Sequence, residues 1–256
     1  MKFGFCVGMD KCDSIKKAGF DFIELGVGTV VPDQSEEKFQ KIKKELDKLS
    51  LPVLAFNCFI PGSFSIIKSY MEGKEDVLLY AKTAIRRVAE AGGKVIVFGS
   101  GWARRRPDDV DRDTALKMLE SFSRDCGEAA REYGVTIAIE HLNRRETNTV
   151  NSTKEALELI KRVDHPNVKL LVDSYHMMVE GEEPEDLQDH AEYIAHVHLA
   201  DGSDRSYPHK DLEFYKKLGD ILKKSGYTGG ISVECGLKDF EAEIVKTMDV
   251  LQKTFG

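Results

Sequence analysis

Short apolar runs alternate with longer amphipathic stretches from one end of the chain to the other. The runs are KFGFCVG (2–8), FDFIELGV (20–27), PVLAFNCF (52–59), KVIVFGSG (94–101), VTIAIEHL (135–142), VKLLVDS (168–174), IAHVHLAD (194–201) and GGISVECG (229–236). They are short and rich in Val, Ile and Phe, which predicts buried strands. Between them, apolar residues recur at helical spacing. Val77, Ala81, Ala84, Ile85 and Val88 share one face; Met118, Phe122, Cys126, Ala129 and Tyr133 share another. Phe240, Ile244, Met248, Leu251 and Phe255 make a third stripe. Asp113, and Asn151 or Ser152, read as helix starts. The turns KKAGFD, EAGGKV, REYGVT and KSGYTGG close helices just before the next strand.

Eight such units, about 25 to 40 residues apart, predict an α/β fold: a closed (β/α)8 TIM barrel, a single domain over residues 1–256. A doubly wound open sheet shows the same alternation. However, no G-x-G-x-x-G or P-loop follows any strand, and the even spacing favours closure.

Composition narrows the partners. The net charge of −7 argues against nucleic acid, which a basic face would bind by releasing counterions. Five scattered cysteines with no C-x-x-C pair suit neither a disulfide framework nor a zinc ribbon, and fit a reducing cytoplasm. Three of them, Cys6, Cys58 and Cys235, fall near strand ends and read as small core residues. No apolar run approaches a membrane span or a signal peptide's apolar region.

In a barrel of this kind, chemistry gathers where strands end. Glu140, Asp173, a histidine of HVHLAD and Glu234 end four successive strands, each after an apolar run that offers it no local partner. A carboxylate there must be paired, neutralised or metal-bound. Three carboxylates and an imidazole at one rim predict a divalent cation, with Mn²⁺ first and Mg²⁺ or Co²⁺ as alternatives. His196 and His198 share a face, so alternation alone does not choose between them. After the fourth strand, GSGWARRRPDD puts Trp102 and Arg104 to Arg106 near the barrel mouth. There an arginine such as Arg104 could meet a carboxylate or phosphate, favouring an acidic sugar, and Trp102 could wall the pocket. The competing reading is a solvated loop with a helix start at Pro107.

IEHLNRRETNTVNS, DSYH, HVHLAD…R and GYTGGISVE together resemble the xylose-isomerase-like barrel superfamily, over nearly the whole chain. The segment after Glu140 is similar to the D-tagatose/D-psicose 3-epimerase branch. The resemblance implies metal ligation by Glu140, Asp173, His198 and Glu234, which favours His198 over His196. It also implies substrate contacts from Glu146, His176 and Arg205. The implied reaction is metal-dependent inversion at C3 of a ketose or keto-sugar acid through an enediolate, with Glu140 and Glu234 as the two acid–base carboxylates. An aldose–ketose isomerase of the hydroxypyruvate type, or an inosose or dehydroshikimate dehydratase, would use the same site. Endonuclease relatives use a three-zinc site with histidines on early strands, and the first 140 residues here contain none. The chain departs from the branch after Arg205, where SYPHKDLEF replaces a Pro-Gly-x-Gly loop with a stiffer, more basic one. Homo-oligomers are common in the superfamily, but no stripe in this sequence specifies a dimer face.

Overall fold

The computed structural model describes residues 1–256. Eight strands, β1 Lys2–Cys6, β2 Phe22–Gly26, β3 Val53–Asn57, β4 Val95–Phe98, β5 Thr136–Glu140, β6 Val168–Asp173, β7 Ile194–Leu199 and β8 Gly230–Val233, pair in chain order. All pairs are parallel, and β8 returns to β1 with Phe3 opposite Ile231, so the predicted barrel closes. Each strand lies inside its predicted run and is shorter than it, because the polar ends of the runs belong to the loops.

Nine helices surround the barrel: α1 Cys12–Lys17, α2 Glu36–Leu46, α3 Ile66–Met71, α4 Asp76–Glu90, α5 Arg112–Tyr133, α6 Thr153–Val163, α7 Ser174–Glu180, α8 Leu212–Lys224 and α9 Phe240–Phe255. The extra helix, α3, sits in the connection from β3 to α4. The stripe on α4 is fully buried as predicted. On α5 the buried face is rotated: Ala115, Leu119, Phe122 and Cys126 face inward while Tyr133 is exposed. Asp111, not Asp113, caps α5, accepting from the Thr114 amide, and the helix starts at Arg112, not at Pro107. Ser152 caps α6. Gly134 ends α5 in the left-handed conformation, which a residue without Cβ adopts at no steric cost.

Two apolar layers result. A 59-residue cluster fills the space between strands and helices. A separate small cluster, Ala55, Val95, Val97, Ala138 and Leu171, has the opposite strand parity and so faces the barrel axis. Side chains two positions further along a strand point the same way. Ala55 is therefore followed by Asn57, Ala138 by Glu140 and Leu171 by Asp173. Period two converts an apolar lower layer into a polar upper one at the C-terminal mouth. No helix is long and apolar enough to cross a membrane.

Candidate metal centre and substrate pocket

Glu140 and Asp173 are the last residues of β5 and β6, His198 is the penultimate residue of β7, and Glu234 follows β8 directly. Asp173 and His198 are register partners on adjacent strands. One donor atom from each of these four residues lies within 4.8 Å of the other three. His198 Nδ1 stands 3.7 Å from Glu140 Oε1 and 3.6 Å from Glu234 Oε2. It is buried and has no hydrogen-bond partner.

The electrostatics of the group are unbalanced. Burial, and then the charges of Glu140 and Glu234, push the Asp173 carboxyl well above its ordinary range. Burial works to raise Glu234 too, but His198 and Arg205 hold it below the usual carboxylate range. An orphaned imidazole nitrogen facing mutually repelling carboxylates is a donor set that fits a divalent cation, three oxygens and one nitrogen.

The two histidines of β7 sit differently. Glu24, on β2, is 1% exposed and reaches across the barrel to both. Its Oε2 lies 2.8 Å from His196 Nε2 and its Oε1 lies 2.9 Å from His198 Nε2. His196 also contacts Ser232 Oγ at 3.1 Å and sits one layer lower, outside the four-residue cluster.

Above the cluster opens a cavity of about 790 Å³, in the range of small-molecule sites. Of the four clustered residues, only Glu140 and Glu234 line it. Glu140 lies so close against Gly99 that a Cβ there would overlap its Oε2. Asn57 Nδ2 donates to Glu234 Oε1 at 3.4 Å.

The other residues singled out from the sequence fall in different places. Glu146 and Arg205 line the cavity, with Arg205 Nη1 donating to Glu146 Oε1 at 3.4 Å and Nη2 to Glu234 Oε2 at 2.5 Å. The guanidinium stacks over Tyr175, 4.6 Å from the ring centroid. His176 is buried, and its Nδ1 accepts from the backbone amide and the side-chain amide of Asn143. That leaves the proton on Nε2, 3.6 Å from Asp173 Oδ2 and 3.9 Å from Glu140 Oε1. Burial, and then the charges around it, lower His176 to about 2, so it is a neutral donor.

Trp102 lines the cavity and is 73% exposed, with Arg105 over its ring. Arg104 departs from the expectation. It is 1% exposed and turns away from the cavity, donating from Nη1 to the carbonyls of Phe98 and Glu140. Those two carbonyls belong to the last residues of β4 and β5, and Arg104 ties the two strand ends together. The cysteines depart as well: Cys58 and Cys235 line the cavity.

The polar run after Glu140 is mostly internal scaffolding. Thr147 and Thr149 donate to the carbonyls of Gly101 and Arg104, and Asn151 donates to those of Leu142 and Thr147. Of its polar residues only Glu146 lines the cavity, together with the apolar Leu142. Sequence reasoning missed Asn143, whose amide bridges Glu146 Oε1 at 3.0 Å and His176. It also missed Asp201, buried after β7, which accepts from Tyr215 Oη at 2.6 Å and from the amides of His209 and Lys210. That carboxylate organises the loop in which Arg205 adopts φ +52°. The basic residues of SYPHKDLEF stay outside the cavity, His209 stacking on Tyr207 and Lys210 pairing with Asp204.

The sequence pattern of the xylose isomerase-like TIM barrel family matches residues 12–254, and the chain belongs to that family. It is 26% identical over 236 residues to the 3-dehydro-D-guloside 4-epimerase of Escherichia coli, covering 88% of this chain and 86% of that one. To the D-psicose 3-epimerase of Ruminiclostridium cellulolyticum it is 30% identical over 136 residues, 53% of this chain and 46% of the other. The structure of D-psicose 3-epimerase with D-tagatose from Clostridium cellulolyticum H10 superposes with a TM-score of 0.85 at 18% identity. That match covers 100% of this chain and 99% of the other.

Proposed function

We propose that this member of the xylose isomerase-like barrel family is a sugar epimerase. It inverts the carbon next to a ketone, using a divalent cation, Mn²⁺ first, held by Glu140, Asp173, His198 and Glu234. C3 of a 2-ketose and C4 of a 3-keto sugar are both carbons next to a ketone, so one chemistry covers the names of both matched relatives.

The observation that carries the reading is the division of labour within each glutamate. Glu140 Oε1 and Glu234 Oε2 face His198, while Glu140 Oε2 lies over Gly99 and Glu234 Oε1 lies beside Asn57. Each of the two cavity-lining carboxylates thus keeps one oxygen free of the cluster. A two-base inversion needs that freedom: one glutamate removes the proton and the other returns it to the opposite face. The cation supplies polarisation of the ketone, which acidifies the neighbouring C–H. His176 Nε2–H and the Arg205 guanidinium donate to the oxygens on which negative charge develops. Glu146 accepts from a sugar hydroxyl and fixes its orientation.

The substrate in this reading is uncharged. Arg205 is the only cationic side chain lining the cavity, against Glu140, Glu146 and Glu234. With Arg104 buried and Arg205 paired to Glu146 and Glu234, the cavity wall offers no unpaired guanidinium to a carboxylate or phosphate.

The test is solvent exchange. The Mn²⁺-loaded chain is incubated in D₂O with neutral 2-ketoses, 3-keto sugars and keto-uronates, and followed by NMR. The expected result is deuterium at the carbon next to the ketone of a neutral sugar, with its epimer growing in. Deuterium at C1 alone would make the enzyme an aldose–ketose isomerase, and loss of water a dehydratase; either would overturn the reading.

A further inference from the structure

We infer that Glu24 is a positioning residue for His198: it holds Nε2 and so turns Nδ1 toward Glu140, Asp173 and Glu234, which sets the affinity for the divalent cation. The inference rests on the metal reading above and extends it to a residue outside the ligand set.

Glu24 is a buried carboxylate in the middle of a strand, where an unpaired charge would be expensive. No lysine or arginine pairs with it; its partners are two imidazoles, one on each oxygen. An ionised carboxylate only accepts hydrogen bonds. At 2.8 and 2.9 Å, both Nε2 atoms must therefore donate. With Nε2 of His198 held by Glu24, Nδ1 is the ring nitrogen left to meet a cation. It faces carboxylate oxygens at 3.6 and 3.7 Å and has no hydrogen-bond partner of its own.

His196 explains why the carboxylate does not simply rotate away. Its Nε2 occupies the second oxygen of Glu24 and also touches Ser232 Oγ. Its ring fits against Gly230, where a Cβ would come to 3.0 Å from Cε1. The two histidines of HVHLAD thus divide the work. The lower one locks Glu24, and Glu24 orients the upper one. Carboxylate–histidine pairs behind a metal alter affinity by about 10- to 100-fold when broken.

The test uses the full chain and Mn²⁺ itself. Free Mn²⁺ is titrated by EPR against wild type, Glu24→Gln and His196→Gln, with circular dichroism of each metal-free protein as the folding control. Glu24→Gln removes the negative charge behind His198 and leaves one acceptor oxygen for two imidazoles, so the Nε2–H of His198 loses its carboxylate partner whichever way the amide turns. The expected result is a folded variant whose Mn²⁺ affinity falls about 10- to 100-fold. His196→Gln, which leaves the Glu24–His198 bond in place, should lose less. A folded Glu24→Gln that binds Mn²⁺ as tightly as wild type would overturn this inference alone; a wild type that binds no Mn²⁺ would overturn the metal reading with it. Should Glu24→Gln fail to fold, ¹⁵N-histidine NMR of the Zn²⁺-loaded wild type decides. His198 should be protonated at Nε2, and a ring protonated at Nδ1 would overturn the inference.

Discussion

Nη2 of Arg205 donates to Oε2 of Glu234 at 2.5 Å, and that same oxygen stands 3.6 Å from Nδ1 of His198. The guanidinium and the donor cluster therefore share one carboxylate oxygen. Arg205 both shields the charge of Glu234 and points its own fork into the cavity, with Glu146 on its other nitrogen.

Arg205→Met should lower kcat/KM by about 10²- to 10³-fold, the usual cost of removing a preorganised donor. Burial works to raise the Glu234 carboxyl, and His198 and Arg205 keep it low. Removing Arg205 lets that carboxyl rise, so the acid limb of the pH–rate profile should move to higher pH. Arg205→Lys should not restore the rate, because an ammonium cannot serve two carboxylates with a planar fork.

Glu140→Gln and Glu234→Gln should differ in what they retain. Each should slow epimerisation by about 10²- to 10⁴-fold, the contribution of one positioned acid–base group. Each should also keep proton exchange from only one epimer, because the surviving glutamate still addresses one face. Deuterium wash-in, measured separately from the two epimers of a substrate, gives the pattern. Equal exchange from both epimers in either variant would contradict the two-base assignment.

Asp173 shows a conflict between stability and binding. Burial and the charges of Glu140 and Glu234 raise its carboxyl well above the unfolded value of about 3.9. A raised carboxyl favours the fold at low pH, and that advantage is lost as pH rises through the folded value. At neutral pH the metal-free protein should therefore gain stability from Asp173→Asn. Each kcal/mol relieved raises Tm by about 2–4 °C in a domain of this size. The same variant should lose the Tm increase that Mn²⁺ gives wild type, where saturation at 100 times Kd is worth about 2.7 kcal/mol. Thermal melts with and without Mn²⁺ measure both effects.

Much of this was legible in the chain, because period two along a strand is a local property. Apolar runs gave the eight strands, and their polar ends gave Glu140, Asp173 and Glu234. What alternation could not supply was which distant side chain each end residue meets. Glu24 and His198 are 174 positions apart and meet only because the barrel places β2 across from β7. Glu24 contacts both histidines, and what separates them is height along β7: His198 lies level with Asp173 and the other donors, which alternation alone does not reveal. Arg104 misled for a related reason. A guanidinium after a strand reads as a ligand for an anion, yet here the nearest acceptors are the carbonyls of Phe98 and Glu140. Cys58 and Cys235 look like core residues in the sequence, but each lies just past a strand end and lines the cavity.

Trp102 and Arg104, four and six residues past the end of β4, should behave oppositely when truncated. Arg104→Ala leaves the Phe98 and Glu140 carbonyls without their buried donor, at about 1–3 kcal/mol for each unsatisfied group. It should lower Tm and, by loosening the end of β5, disturb the Glu140 carboxylate and reduce kcat. It should not change the preference between neutral and acidic sugars, since the guanidinium does not reach the cavity. Trp102→Ala removes a side chain that is 73% exposed. Its effect on stability should stay within about 0.5 kcal/mol, as for most surface changes. If the ring walls the bound sugar, KM rises while Tm holds. Melting curves and steady-state kinetics of the two variants, run against a neutral ketose and its uronate, separate the buried clamp from the cavity wall. A change in neutral-to-acidic preference in Arg104→Ala would place that arginine back at the substrate.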